Sequence, residues 1–253
     1  MHLLLLLPLL FLLSACFLPP RTQAGEIIGG HNARPHSRPY MACLKKSKLD
    51  PDCFCGGFLI KKDFLLTAAH CNDSMYTVIL GAHDISKKER TQQVITVSRA
   101  IPHPNYNSEN LSNDIMLLKL KKKVKLTNEV KPISLPTPEA CLCAGQVCSV
   151  AGWGQTENED SSSTLQEVEL TLQEETRCKY QFKSGYNKAT QLCVGDPANI
   201  YTTFWGDSGG PLVCNNVAQG IVSHGPKEPK PPVVYTKISS FLPWIHEVIK
   251  ASS

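Results

Sequence analysis

Short runs of alternating or continuously apolar residues recur along most of this chain, cut by Gly, Pro, Asn and Asp. Val147–Ala151, Leu165–Leu172, Gln219–Ser223 and Val233–Ile238 are examples. A period of two puts apolar side chains on one face of a pleated strand. Short strands punctuated this way predict an all-β sandwich or barrel. The pattern changes at the chain end. Phe241, Trp244, Ile245, Val248 and Ile249 recur at helical spacing after Ser239-Ser240, a pair suited to capping. One amphipathic helix, packed on the body, is expected there. Asn158–Ser163 is polar and Pro226–Pro232 is proline-rich, so both predict exposed loops. No short internal repeat and no low-complexity linker interrupts the series.

The first residues break the pattern in another way. Leu3–Leu13 is an apolar run interrupted only by Pro8, short for a bilayer span. Thr22-Gln23-Ala24 places small residues where a signal peptidase reads. Residues 1–24 are therefore expected to be a secretory signal, although no basic residue precedes the apolar run. No later apolar stretch is long enough for a membrane helix. The remaining chain, about 230 residues, suits one all-β domain or two halves of one, large enough to bury a core without a metal.

Composition adds the cysteines and the charge. The chain has 11 Cys and a formal net charge of +4. Cys16 leaves with the signal; in a secreted chain the others predict a disulfide framework. Removing residues 1–26 takes away one Arg and one Glu, so the charge is unchanged. Lysines cluster at Lys45/Lys46/Lys48, Lys87/Lys88/Arg90 and Lys119/Lys121/Lys122/Lys123/Lys125. Such clusters are ordinarily solvated strand edges and loops. The sharper alternative is a docking surface for an acidic polymer. There is no repeated basic–aromatic pattern and no zinc-finger spacing, which argues against a nucleic-acid module.

One stretch carries chemistry: Gly206-Asp207-Ser208-Gly209-Gly210-Pro211. A serine hydroxyl is a poor nucleophile at neutral pH. It needs a base for its proton and backbone donors for the oxyanion it creates. Glycines allow main-chain N–H groups to point inward where a side chain would block them. A base is available in Thr67-Ala68-Ala69-His70-Cys71, and an acid to orient it in Asn113-Asp114-Ile115-Met116-Leu117-Leu118. Taken singly, each is more often structural. The chain order His70, Asp114, Ser208 points to a nucleophilic triad, the order found in the chymotrypsin group.

Further segments carry a resemblance over the whole mature chain: Ile27-Ile28-Gly29-Gly30, Pro35–Ala42, Cys55-Gly56-Gly57-Phe58-Leu59-Ile60, Ala151-Gly152-Trp153-Gly154 and Gln219–Ser223. With the three motifs above, the sequence resembles the granule-stored serine proteases: granzymes, chymases and cathepsin G. Phe204 stands where digestive and plasma relatives usually carry a cysteine. The resemblance implies two six-stranded antiparallel β-barrels with a C-terminal helix. The catalytic cleft would lie between them, with His70 and Asp114 from the first barrel and Ser208 from the second. It also implies disulfides Cys55–Cys71, Cys148–Cys214 and Cys178–Cys193. Cys43, Cys53, Cys141 and Cys143 fall outside that scheme. Cys43 and Cys53 flank a short Lys-rich turn and could face each other across a hairpin. Cys141 and Cys143 are too close for an easy bridge to one another. Extra disulfides, free or intermolecular thiols, and metal binding stay open for the four, though no histidine cluster accompanies them.

The same resemblance assigns roles. The N–H groups of Gly206 and Ser208 would form the oxyanion hole. Ser223, His224 and Gly225 would pair with the substrate backbone as an added strand. The primary pocket would have Thr202 at its base, Val233 beside it and Gly225 on the wall, and Trp205 at its mouth and Leu111 near Asp114 would add apolar contacts. A neutral floor implies cleavage after apolar residues: Leu, Met or Phe. Gly25-Glu26 resembles the dipeptide that a dipeptidyl peptidase removes from granule proteases. The freed Ile27 ammonium would then insert beside Asp207. No cofactor or metal is implied. Protein or peptide substrates, serpin-type inhibitors and an anionic proteoglycan such as heparin are the implied partners. Asn72-Asp73-Ser74 and Asn110-Leu111-Ser112 are glycosylation sequons at Asn72 and Asn110. A second reading is a catalytically weak cationic binding protein on the same fold, against which the intact triad argues.

Overall fold

The computed structural model describes residues 29–47, 50–73, 77–155, 161–199, 202–203, 206–226 and 230–252. The strands begin with β1 (His31–Asn32). Six more follow in the first half: β2 (Met41–Lys45), β3 (Cys55–Lys61), β4 (Phe64–Thr67), β5 (Thr77–Leu80), β6 (Gln93–Pro102) and β7 (Met116–Leu120). They close into an antiparallel barrel in the order β2-β3-β4-β7-β6-β5. Closure leaves no free strand edge. β6 alternates half-buried and exposed positions, whereas β2, β4 and β5 are buried throughout. Leu44, Phe58, Leu66, Val78, Leu80 and Leu117 are all fully buried. Burying one such side chain is worth about 1.5–3 kcal/mol.

The second half contains β8 (Val147–Gly152), β9 (Gln166–Thr171), α1 (Glu175–Phe182), β10 (Gln191–Val194), β11 (Pro211–Cys214), β12 (Val217–His224), β13 (Val233–Lys237) and α2 (Leu242–Ala251). Its sheet runs β1-β9-β8-β11-β12-β13-β10. A single antiparallel bridge, Leu172 to Val194, links the chain just after β9 to the end of β10, so the sheet's two sides meet. β1 pairs onto β9 from outside that circuit. Val150, Val168, Leu170, Leu212, Val222 and Tyr235 fill this second core. The two halves are stitched where Trp153, itself buried, donates its indole N–H to the His83 carbonyl at 3.1 Å. Leu165 N–H donates to the same oxygen at 2.8 Å.

The C-terminal helix is present, but its entry differs from the expected Ser239-Ser240 cap. These serines lie in a 3-10 turn, Ile238–Phe241, and the Ser240 hydroxyl donates to the Ala189 carbonyl. The helix starts after Phe241 with no side-chain cap and a proline in its first turn. Proline tolerates that position because the first helical N–H groups have no intrahelical acceptor anyway. Leu242, Ile245 and Ile249 are buried in the first barrel's cluster, so α2 crosses back from the second half. α1 escaped the periodicity reading for a physical reason. Only Cys178 is buried along it, so there is no apolar stripe to detect.

The three implied disulfides are formed, and Cys43–Cys53 makes a fourth. This bridge joins β2 to the residues leading into β3, the hairpin pairing that brings the two together. Cys141 and Cys143 are exposed and unbridged, so of the four cysteines left open by the sequence, one pair forms the hairpin disulfide and the other two are free thiols. The lysines divide similarly. Lys45 is buried and donates to the Asp50 and Pro51 carbonyls, Lys87 pairs with Asp84, and Lys119 pairs with Asp63. Lys121, Lys122, Lys123 and Lys125 are exposed in a row after β7.

Candidate active site

His70 sits in a 3-10 turn, Ala69–Cys71, directly after β4. The Cys55–Cys71 bridge ties the next residue back to β3. Asp114 precedes β7. Leu111 and Asn113 before it hold positive φ angles of 54° and 56°, a bend that Asn tolerates better than most residues. The Asn113 side chain donates to the Asn105 carbonyl at 2.8 Å and fixes that bend. The Asp114 carboxylate is thereby turned into the seam between the halves and has no solvent exposure.

The imidazole and carboxylate meet closely. His70 Nδ1 lies 2.7 Å from Asp114 Oδ2, and the His70 backbone N–H donates to Oδ1 at 2.9 Å. Ser223 Oγ donates to Oδ2 at 2.6 Å, and Thr236 Oγ1 donates to the Asp114 carbonyl at 2.7 Å. Burial by itself pushes this carboxyl upward. The hydrogen bonds and charge of His70 and the Ser223 hydroxyl outweigh it and hold the group below the usual carboxylate range. An ionised Asp114 fixes the proton of His70 on Nδ1, which leaves Nε2 free to accept a proton.

Ser208 arrives from the other half in a turn shaped by two glycines. Gly206 has φ +94° and Gly209 φ +82°. A side chain on Gly209 would collide with Thr67 Oγ1 and the Gly56 carbonyl. Gly56 N–H donates to the Ser208 carbonyl at 2.8 Å, and Gly209 N–H to the Val222 carbonyl at 2.9 Å. The serine is therefore held between β3 and β12. Ser208 Oγ makes no hydrogen bond to His70 among the described residues. Both side chains open into one cavity of about 240 Å³, also lined by Lys46, Phe54, Asn72 and Gly206. Catalytic hydrogen bonds often tighten only around substrate. No backbone carbonyl among the described residues accepts from the N–H of Gly206 or Ser208.

Asp207, beside the nucleophile, is fully buried, and its Oδ1 accepts from Gly154 N–H at 3.0 Å. A Cβ on Gly152 or Gly154 would strike that carboxylate. This accounts for the two glycines of Ala151-Gly152-Trp153-Gly154. Ile27 and Trp205 lie outside the described residues.

The pocket residues are partly assembled. Thr202 is fully buried and Val233 is 5% exposed. A Cβ on Gly225 would come within 2.7 Å of Val233 Cγ1, so the two face each other. Thr203 Oγ1 is 3.1 Å from the Tyr235 hydroxyl, which anchors the segment after Thr202 to β13. Asn72 and Asn110 are exposed, and Asn110 Oδ1 accepts from the Ser112 N–H and hydroxyl in a local turn. The grouping Cys55, His70 and Cys71 has its ligand atoms close together, but both sulfurs are bonded to each other, leaving one ligand.

Sequence reasoning missed Thr236 as a support of Asp114 and saw Ser223 only as part of the substrate strand. They lie 122 and 109 residues from Asp114, and no local pattern signals such contacts.

A family model described as Trypsin matches residues 27–245, most of the chain. The chain belongs to the trypsin family of serine proteases. Granzyme B(G,H) of Mus musculus is 54% identical, with 96% of this chain and 99% of that protein covered. Cathepsin G of Mus musculus is 51% identical over 96% of this chain and 92% of its own length. A solved structure titled "Structure of GrC" superposes with a TM-score of 0.84 at 49% identity, covering 88% of this chain and all of that one. The protein is thus a granule-type, chymotrypsin-like serine protease with a His–Asp–Ser triad. No helix among the described residues is long and apolar enough to cross a membrane.

Proposed function

We propose that the protein is a secreted, granule-stored endopeptidase that cuts after Leu, Met or Phe once a dipeptide is removed from its N-terminus. His70 takes the proton of Ser208 as the hydroxyl attacks the substrate carbonyl, then passes it to the leaving amine. Asp114 holds the imidazole and stabilises the imidazolium. The Gly206 and Ser208 N–H groups face the oxyanion, where losing one donor costs about 2.7–4 kcal/mol. Water hydrolyses the acyl-enzyme by the reverse proton path. Storage and secretion rest on the likeness to granzymes and cathepsin G. A dipeptidyl peptidase, serpin-type inhibitors and protein substrates are the partners in this reading. Glycans at Asn72 and Asn110 belong to it too, and one at Asn110 would lean toward the cleft.

The observation that carries the specificity is the buried, uncharged Thr202 with Val233 packed opposite Gly225. A neutral floor offers no partner to a buried Lys, Arg or Asp, and an unpaired charge there costs several kcal/mol. Val233 shortens the pocket, so Trp fits poorly. A methylene more or less changes binding by only about 1–3 kcal/mol, so Leu, Met and Phe overlap. A peptide-library cleavage profile of the chain starting at Ile27 tests this. It should show Leu, Met and Phe before the cut and negligible turnover after basic or acidic residues. Val233→Gly should shift the profile toward Phe, Tyr and Trp. Thr202→Asp should add some acceptance of Lys or Arg. A wild-type profile dominated by Arg, Lys or Asp would reject the pocket assignment.

The exposed row Lys121, Lys122, Lys123 and Lys125 supports a contact with an acidic polysaccharide. Heparin is expected to retain the mature protein until the salt rises above the physiological range. Elution at or below physiological ionic strength would remove this partner.

A further inference from the structure

The carboxylate of the triad is wired to a second imidazole. Ser223 Oγ has one hydrogen, and at 2.6 Å it is given to Asp114 Oδ2. His224 Nδ1 lies 3.1 Å from the same Ser223 oxygen. With its only proton committed, that oxygen can act toward His224 solely as an acceptor, so Nδ1 of His224 carries a hydrogen and donates. A continuous chain results: His224 Nδ1–H to Ser223 Oγ, Ser223 O–H to Asp114 Oδ2, and His70 Nδ1–H to that same Oδ2. Both imidazoles therefore direct a proton toward one carboxylate oxygen, His70 directly and His224 through a hydroxyl.

We propose that His224 is a positioning residue of the catalytic centre, which holds Ser223 oriented as a donor to Asp114 and so sets how much of the carboxylate's charge remains for His70. This rests on the triad reading above. Hydrogen bonds in a chain polarise one another, so the first donor strengthens the second. Two elements hold the ring in place. β12 pairs His224 with Val234 of β13, and the Phe182 ring of α1 meets the imidazole edge-on at 5.6 Å between centroids. The charges that reach it are Asp114, which favours its cation, and His70, which opposes it; the aromatic ring of α1 adds none. Burial, in the same direction as His70, outweighs Asp114 and lowers its affinity for a proton, so the neutral Nδ1–H form is the working state at neutral pH.

Loss of this donor has a defined consequence. Without it Ser223 polarises Asp114 less, more negative charge faces His70, and its imidazolium is favoured. The acid limb of kcat/KM then moves to higher pH. The test uses the full mature chain, counted by titration with a fluorophosphonate serine probe, and an amide substrate with a single residue before the scissile bond. Such a substrate has no extended backbone to lie along His224 and Gly225, so contact with extended substrate is removed from the comparison.

His224→Phe should lower kcat roughly threefold to tenfold, because the Ser223 hydroxyl no longer fixes the carboxylate that aligns His70 and this misalignment outweighs the gain in imidazolium stability, with KM within about twofold. Its acid limb should shift upward. His224→Gln, whose amide N–H can replace the donor without titrating, should recover most of the rate. In a Ser223→Ala background the His224→Phe effect should vanish, because the relay is already cut. Three results would overturn the proposal: a change in KM alone, a His224→Phe effect that persists undiminished in Ser223→Ala, or an unmoved acid limb. If His224→Phe fails to fold, His224→Gln against Ser223→Ala/His224→Gln still decides: losing the small His224→Gln effect in Ser223→Ala supports the relay, and full additivity rejects it. A wild-type chain that does not react with the probe contradicts the triad itself, a different failure from unequal turnover among fully titrated variants.

Discussion

Ser208→Ala is expected to abolish peptide hydrolysis, with a loss in kcat on the order of 10⁶-fold, while the fold and its four disulfides persist. The loss is large because the members of a triad act as a unit. A base with no hydroxyl to activate contributes nothing, and only binding and oxyanion stabilisation remain. The fold should survive because the contacts that hold the turn are made by backbone. Gly56 N–H bonds the Ser208 carbonyl, and Gly209 N–H bonds the Val222 carbonyl of β12. Turnover, labelling by a fluorophosphonate probe and the thermal midpoint check this together. Near wild-type turnover by a variant free of contaminating protease would remove Ser208 as nucleophile. A wild-type chain inert to the probe would favour a cationic binding protein on the same fold.

The second large effect concerns the N-terminus. A chain starting at Ile27 is expected to be active, and one starting at Gly25 to be nearly inert. Asp207 is fully buried beside Ser208, in a slot cleared by Gly152 and Gly154. A buried carboxylate that loses a partnering charge is disfavoured by roughly 3–5 kcal/mol. A new ammonium at Ile27 would provide that charge, and the same backbone carries the Gly206 and Ser208 N–H groups. Tying hole formation to that ion pair separates the two chains by roughly two to four orders of magnitude in kcat/KM. Asp207→Asn in the chain starting at Ile27 should fall to the level of the Gly25 chain. Equal activity of the Ile27 and Gly25 chains, measured on one peptide substrate after active-site titration, would rule out the switch.

The extent to which the site could be read in advance follows from the range of each interaction. Gly206–Pro211 announces a nucleophile because the requirement is local: a serine, an acid before it, and glycines whose positive φ angles the turn needs. Likewise the strand runs at Val147, Leu165, Gln219 and Val233 became β8, β9, β12 and β13, because alternation with a buried face is a property of a few adjacent residues. α1 gave no such sign, since a mostly exposed helix held by one disulfide carries no apolar stripe. Which lysines remain at the surface was equally hidden. Lys45 and Lys121 look alike in sequence, and only the carbonyls of Asp50 and Pro51 make the first a buried donor.

By itself the sequence determined the strand-rich architecture and the C-terminal amphipathic helix, which depend on residue type and short spacing, and pointed to the three triad residues through the chain order of three local motifs. Tertiary structure alone decided how they meet. It packed α2 onto the first barrel, joined Cys43 to Cys53 while leaving Cys141 and Cys143 apart, and converged Ser223, Thr236 and His70 on Asp114. Distance along the chain separates these cases. Cys43–Cys53, 10 positions apart, and His70 with Asp114, 44 apart, form within the first barrel, whereas the Ser223 and Thr236 contacts, 109 and 122 positions from Asp114, exist only after both halves close and exclude water from the seam between them. In that low-dielectric seam a carboxylate must be fully hydrogen-bonded or it will not remain charged.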